Sequence, residues 1–239
     1  VATAKPEARK LFAPAVKNVT IEIAYAASAA PYAGSLKKFG DIWNVFHVNA
    51  LAIFDGKKTV THPRALAGMA KLDDVPSKSF TTGELLEIAS SHRTSASSED
   101  TAAFYVLFVD GYWIDDAGVE QKDVLGRSIG ASGVVVVFKP AVAAVAGASP
   151  ELVEQLTLVH YFGHAVGFVD NGVPVAENNR RHVDADGHHC TNKQCAMSAD
   201  VETSAGAATF ASTLIRSPEG VILGQDCLSD ARIFENAAP

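Results

Sequence analysis

His160 and His164 stand four residues apart in the segment HYFGHAVGFVD, residues 160–170. On a helix, that spacing stacks two imidazoles on one face, one turn apart. Neutral imidazoles so placed can share a single Zn²⁺. Gly167 follows, and a glycine there lets the chain turn sharply back toward the rings. Asp170 is then a candidate third donor. A second candidate is His189, which opens the run His189-Cys190-Thr191-Asn192-Lys193-Gln194-Cys195-Ala196-Met197. Histidine pairs at this spacing arise often by chance, and the bland alternative is a helix with hydrogen-bonded, metal-free imidazoles. Five of the eight histidines fall between positions 160 and 189, which favours the metal reading. His182 and His188 are weaker ligand candidates, against the plainer reading of solvated loop residues.

The pair needs a helix beneath it, and the sequence supplies one. Ser149-Pro150-Glu151 is a helix start: an N-cap serine, proline at the first helical position and an acid in the first turn. The helix is predicted over 150–167, ending at Gly167, with both histidines in its last two turns. Three strand-like runs precede it: Ala102 to Val109, Asp123 to Ile129 and Gly133 to Phe138. The first and third are nearly unbroken apolar runs and suit central strands. The second carries Asp123, Arg127 and Ser128 and suits an edge strand.

Further upstream, Asn18 to Ala24 alternates as a strand, and Lys57 to His62 is a short one. Asp41 to Phe54 has the apolar spacing of an amphipathic helix, stopped by Asp55-Gly56. Thr81 or Thr82 caps a helix through about Ser91. After Asp170 the chain is polar and irregular to Lys193, with one more helix predicted over Ala207 to Ile215.

Composition narrows the partners. Lys plus Arg is 20 against 27 for Asp plus Glu, a net charge of -7. No basic run stands out, which argues against nucleic acid. No apolar stretch approaches the roughly 18 residues needed to span a bilayer. The Ala-, Lys- and Pro-rich start suggests a mature chain, and a secreted or cell-envelope location is the expectation. Cys190, Cys195 and Cys227 allow one disulfide in any of three pairings, or free thiols.

With these residues in view, the chain resembles the metzincin clan of zinc peptidases, whose signature is H-E-x-x-H-x-x-G-x-x-H followed by a methionine turn. His160, His164 and Gly167 match it. Asp170 stands where the third histidine falls, and snapalysin-type members carry aspartate there. The chain also resembles archaemetzincins, in which the third histidine is followed by C-x4-C-x-M. His189, Cys190, Cys195 and Met197 match that piece, nineteen residues after Asp170. Asp170 and His189 are therefore rival third ligands, with Asp170 preferred because it needs no insertion.

The resemblance spans roughly residues 19–197, but only residues 159–197 carry its motifs. It implies an α/β (α+β) fold: a mixed twisted sheet, an active-site helix and a smaller irregular C-terminal subdomain. The implied divisions are an N-terminal extension over 1–17, an α/β subdomain over 18–169 and a C-terminal subdomain over 170–239. Met197 is implied as the floor of the metal site. Asp123, Val124, Leu125, Gly126 and Arg127 are implied as the edge strand to which a peptide adds.

One departure bears on mechanism. Tyr161 occupies the position of the family's glutamate, the general base. General acid/base help is typically worth about 10²–10⁴-fold. A phenol with a reference pKa of about 10 is a poor base at neutral pH. Three readings follow: a non-catalytic zinc- and peptide-binding pseudoprotease, a variant of an active protease, or a protease with the base supplied elsewhere. Glu177, Asp184 and Asp186 are candidates for the last, against the plainer reading of a solvated polar loop. Ser198 and Ala199 stand where some clan members carry a tyrosine that contacts metal or substrate.

Overall fold

The computed structural model describes residues 4–37, 39–214 and 220–237. Helix α1 (Pro6–Phe12) precedes strand β1 (Asn18–Ala26). The two-residue strands β2 (Ser35–Leu36) and β3 (Gly40–Asp41) lead into α2 (Trp43–Ile53). Then come β4 (Thr59–Thr61), β5 (Ala70–Leu72), β6 (Phe80–Thr81) and α3 (Thr82–His92). Strands β7 (Thr101–Val109), β8 (Trp113–Ile114), β9 (Glu120–Gln121), β10 (Gly126–Ile129) and β11 (Val134–Phe138) follow. The short α4 (Lys139–Ala143) precedes the long α5 (Pro150–Val166), and α6 (Ser204–Leu214) and α7 (Gln225–Ala237) close the described chain.

This is the mixed α/β fold expected. The main sheet runs β10-β11-β7-β1-β4, with β5 pairing the far end of β1. Every pairing in it is parallel except β10 with β11. All five residues of β11 are buried, as are the last seven of β7. Parallel strands covered on both faces read as unbroken apolar runs, which is why these two were legible.

The edge strand is shorter than predicted. Only Gly126–Ile129 pair with β11, through Gly126↔Val137 to Ile129↔Val134. Asp123, Val124 and Leu125 therefore lead into the strand, Asp123 lying in a turn. Leu125 is buried, and its carbonyl accepts from Phe138 N at 2.9 Å.

Helix α3 starts where predicted, with Thr81 and Glu84 forming a reciprocal capping box. At α5, Ser149 is the N-cap by position, but its hydroxyl bonds the Glu151 carboxylate rather than a backbone N–H. Helices α1 and α7 were not foreseen. The stretch read as an extension over 1–17 contains α1, whose Leu11 and Phe12 are buried in the same core as Leu223 and Leu228 from the stretch read as a C-terminal subdomain. The C-terminal end of the predicted helix, Ile215, lies outside the described residues.

Helix α5 lies across β10 and β11 and beside α2. Phe162 packs edge-on against Phe46 at 5.3 Å and Phe104 at 5.1 Å between ring centroids. Glu154, also on α5, is 0% exposed and meets Lys139. It also accepts from Tyr32 N at 2.8 Å. Burial pushes the Glu154 carboxyl up to about 7, and Lys139 only partly offsets it. Burial likewise pushes the Lys139 amine down. Both shifts run against what mutual attraction alone would do, because dehydration costs each charge more than the pair returns.

A carboxyl pKa raised in the fold contributes stability below the unfolded value, near 4.5, that is lost as pH rises through about 7. Lys139→Met removes the partner and leaves the carboxyl buried. It is expected to lower unfolding free energy by about 3–5 kcal/mol at pH 8. The loss is expected to shrink at pH 5, where Glu154 is protonated. Urea unfolding at the two pH values checks both size and sign.

Candidate metal centre

Three ring nitrogens and one carboxylate oxygen converge at the end of α5. His160, His164, His189 and Glu202 each offer a ligand atom, all within 4.8 Å of one another. The Nε2 atoms of His160 and His164 are 3.0 Å apart. Glu202 Oε1 lies 3.2 Å from His160 Nε2 and 3.4 Å from His189 Nε2.

Two of the three histidines are fixed from behind by hydrogen bonds. His160 Nδ1 lies 2.7 Å from the Ala196 carbonyl. A carbonyl only accepts, so Nδ1 carries the proton and Nε2 presents its lone pair to the cluster. The amide nitrogen of Asn171 lies 3.0 Å from His164 Nδ1 and donates to the Phe168 carbonyl, anchoring the ring to the turn after the helix. Behind His189 stands Asp184, with Oδ2 3.5 Å from Nδ1. Neither ring nitrogen of buried-side His189 has a hydrogen-bond partner. Buried polar atoms seldom go unsatisfied, and a metal ion would satisfy Nε2.

Electrostatics keep His164 and Glu202 ready to coordinate. Burial first, then the neighbouring His160 and His189, hold His164 well below its ordinary pKa. Burial pushes Glu202 up, but the neighbouring His160 and His189 outweigh it and hold the carboxyl well below the usual range. The site therefore offers a neutral ring and an ionised oxygen, the forms that bind metal.

The structure brings His189, and not the preferred Asp170, to the two helical histidines. Asp170 is not in the cluster. The chain after α5 turns through positive φ at Gly167 (102°), Val169 (54°) and Asp170 (58°). That turn directs the Asp170 carboxylate to Val175 N at 3.0 Å and Arg180 Nη1 at 3.0 Å. His189 arrives instead, through the segment that separates it from Asp170. A 3-10 turn over Glu177–His182 and the bridge Val183↔Cys190 fold that segment back. Asp184 Oδ1 accepts from the backbone of Gly187, His188 and His189, tightening the loop.

Tyr161 is buried between the histidines and the edge strand. Its ring centroid is 4.8 Å from that of His160. A Cβ at Gly126 would stand 2.7 Å from Tyr161 Cδ2, so glycine there makes room for the ring. The phenol faces Glu202, Arg127 and the Gly126 backbone, and burial raises its pKa well above the ordinary value. The Arg127 guanidinium carbon lies 3.7 Å from the Trp113 ring centroid. Met197, fully buried, has its sulfur where a Cβ on Gly163 would be, directly under the helix between the two histidines.

Of the acids considered as a substitute base, Glu177 and Asp186 are exposed, and Asp184 serves the His189 loop. Glu202 was missed. The one local signal was an N-cap serine, Ser198, opening a short acidic turn just after Met197.

Two further features border the site. A cavity of about 690 Å³ opens beside His164, walled by α1, α3 and the β10–β11 turn. The three cysteines are unlinked and buried, and His182, Cys190 and Cys227 form a second group able to hold a metal. Cys195 Sγ lies 3.7 Å from Cys227 Sγ, and His182 Nε2 bonds Asp230 at 2.7 Å. Hydrogen bonds from Cys195, Cys227 and His182 hold the Cys190 thiol well below its usual pKa. His182 is thus a buried, oriented ring rather than the solvated one expected, whereas His188 is exposed.

No protein-family model and no curated protein matches this chain. Among solved structures, it is similar to archaemetzincin from Methanopyrus kandleri, at 13% identity and a TM-score of 0.49, covering 93% of this chain and 97% of that one. It is also similar to a zinc-dependent peptidase from Methanocorpusculum labreanum, at 11% identity and a TM-score of 0.47, covering 88% of this chain and 99% of that one.

Gly167→Ala places a side chain at φ 102° with its Cβ 3.0 Å from Val173 N. It is expected to cost roughly 1–3 kcal/mol of stability. Denaturant unfolding measures the loss, and an unchanged midpoint would show that the turn relaxes freely.

Proposed function

We propose that this chain is a zinc-binding protein on a metallopeptidase scaffold, with peptide hydrolysis absent or weak. His160, His164 and His189 hold the ion. The observation that carries this reading is the arrival of His189, with its ring nitrogens otherwise unsatisfied, against two histidines one helical turn apart. A zinc ion held there would supply Lewis acidity, lowering the pKa of a water toward about 7 and polarising a carbonyl.

The chain's own residues set what can follow. The free edge of β10 and the cavity beside His164 offer an extended peptide a strand to pair with and a space for a side chain. Gly163 lets Met197 close the floor. What α5 does not offer is a proton acceptor, because Tyr161 is a buried neutral phenol. The plainest reading is a non-catalytic zinc- and peptide-binding protein. The cysteine cluster supports a second ion, held by His182, Cys190 and Cys227 with Cys195 alongside. Asp230 orients the histidine in the manner of a carboxylate behind a metal ligand.

Two measurements test this. Protein purified without chelator is expected to carry two zinc ions per chain, His164→Ala to lose one and Cys190→Ser the other. A parent without stoichiometric metal sinks the proposal. Against a peptide library, the parent is expected to cleave at least about 100-fold more slowly than Tyr161→Glu. Equal rates in the two would show that position 161 does not limit hydrolysis.

A further inference from the structure

We infer that Glu202 is a fourth protein ligand, and that Tyr161 holds it there, so that the residue in the base's place closes the metal site. This rests on the zinc reading above and adds a reason for the missing hydrolysis beyond the loss of a base.

Distance decides between ligand and base. Zinc bonds to histidine nitrogen and carboxylate oxygen are about 2.0–2.2 Å, so neighbouring ligands on a tetrahedron stand about 3.3 Å apart. Glu202 Oε1 is 3.2 Å from His160 Nε2 and 3.4 Å from His189 Nε2. The His160–His164 separation, 3.0 Å, belongs to the same scale. A base acting through an intervening water would stand one hydrogen bond, about 2.7 Å, farther out. Glu202 is at the corner itself. Zinc sites with four protein ligands are generally structural, and catalytic ones keep a position open.

The elements explain how the carboxylate stays there. Ser198 caps the 3-10 turn Ala199–Glu202, its side chain accepting from Asp200 N, and Val201 is buried beneath. The Tyr161 ring is wedged against Gly126 and lies 4.8 Å from the ring of His160, whose Nε2 is 3.2 Å from the Glu202 carboxylate, so the phenol borders that carboxylate from the helix side. Partners behind a ligand fix its orientation, and removing one typically weakens metal binding about 10–100-fold. Tyr161 is thus a positioning residue, acting through Glu202.

The test uses the full chain, with zinc affinity by chelator competition and Co²⁺ substitution as readouts. Co²⁺ spectra are taken as differences from His164→Ala, which cancels the cysteine cluster. Acetohydroxamate serves as a probe of an open coordination position. Glu202→Gln and Glu202→Ala are expected to weaken zinc binding at the histidine site by more than about tenfold, and Tyr161→Phe by about tenfold. Acetohydroxamate is expected to change the Co²⁺ spectrum of Glu202→Ala and not that of the parent. Glu202 is partly exposed, and the near-isosteric glutamine variant guards against a folding artefact. If the parent binds metal but already responds to acetohydroxamate as Glu202→Ala does, with equal zinc affinity, the inference fails and the zinc reading stands. If the parent binds no metal, the zinc reading fails first.

Discussion

Helix α5 carries four polar side chains almost wholly out of water, Glu154, Gln155, Thr157 and His160, each no more than 1% exposed. Dehydrating such groups is costly unless each finds a partner. Much of the surrounding structure is arranged to supply one. Glu154 draws in Lys139 and the Tyr32 backbone, and Gln155 accepts from Phe46 N. Thr157 bonds back to Val153 O within the helix. His160 reaches the Ala196 carbonyl, thirty-six residues on. That last bond ties the segment carrying Met197 to the helix, where the Met197 sulfur lies against Gly163.

The same constraint governs the segment beyond Asp170. It is polar and irregular, yet it does not float. Asp184 organises its loop, Asp170 caps Val175, and His182 bonds Asp230 of α7. Carboxylates that accept several N–H groups order a loop as firmly as regular structure does. The result is a folded insertion that returns His189 to the helix. Positive φ at the β-branched Val169 is a costly conformation, and it sits in the turn that makes this return possible.

Position 161 illustrates how one residue changes a site in two ways. A tyrosine there cannot act as the carboxylate would, since burial keeps the phenol neutral. Its bulk also needs space, which Gly126 on the edge strand provides. The phenol then faces a carboxylate from another part of the chain. The carboxylate that α5 lacks at position 161 is matched in space by Glu202, whose Oε1 lies 3.2 Å from His160 Nε2 and 3.4 Å from His189 Nε2.

The helix that bears the histidine pair, the buried parallel strands and the edge character of β10 were legible in the sequence, because each depends on local periodicity or on a cap. Periodicity reports which face of an element is dry, and α5 and β11 are dry on nearly every face. Which distant side chains join the histidine pair was not legible. Asp170 had the right spacing, but the handedness of the turn after Gly167 sent its carboxylate to Arg180. Glu202 was invisible for the same kind of reason: it lies forty-two residues from His160 and meets it only through the packing of the 3-10 turn against α5. The types of donor and the helix that bears two of them follow from short-range chemistry. Which distant side chains complete the set depends on loop closure over tens of residues, and only the tertiary structure decides that.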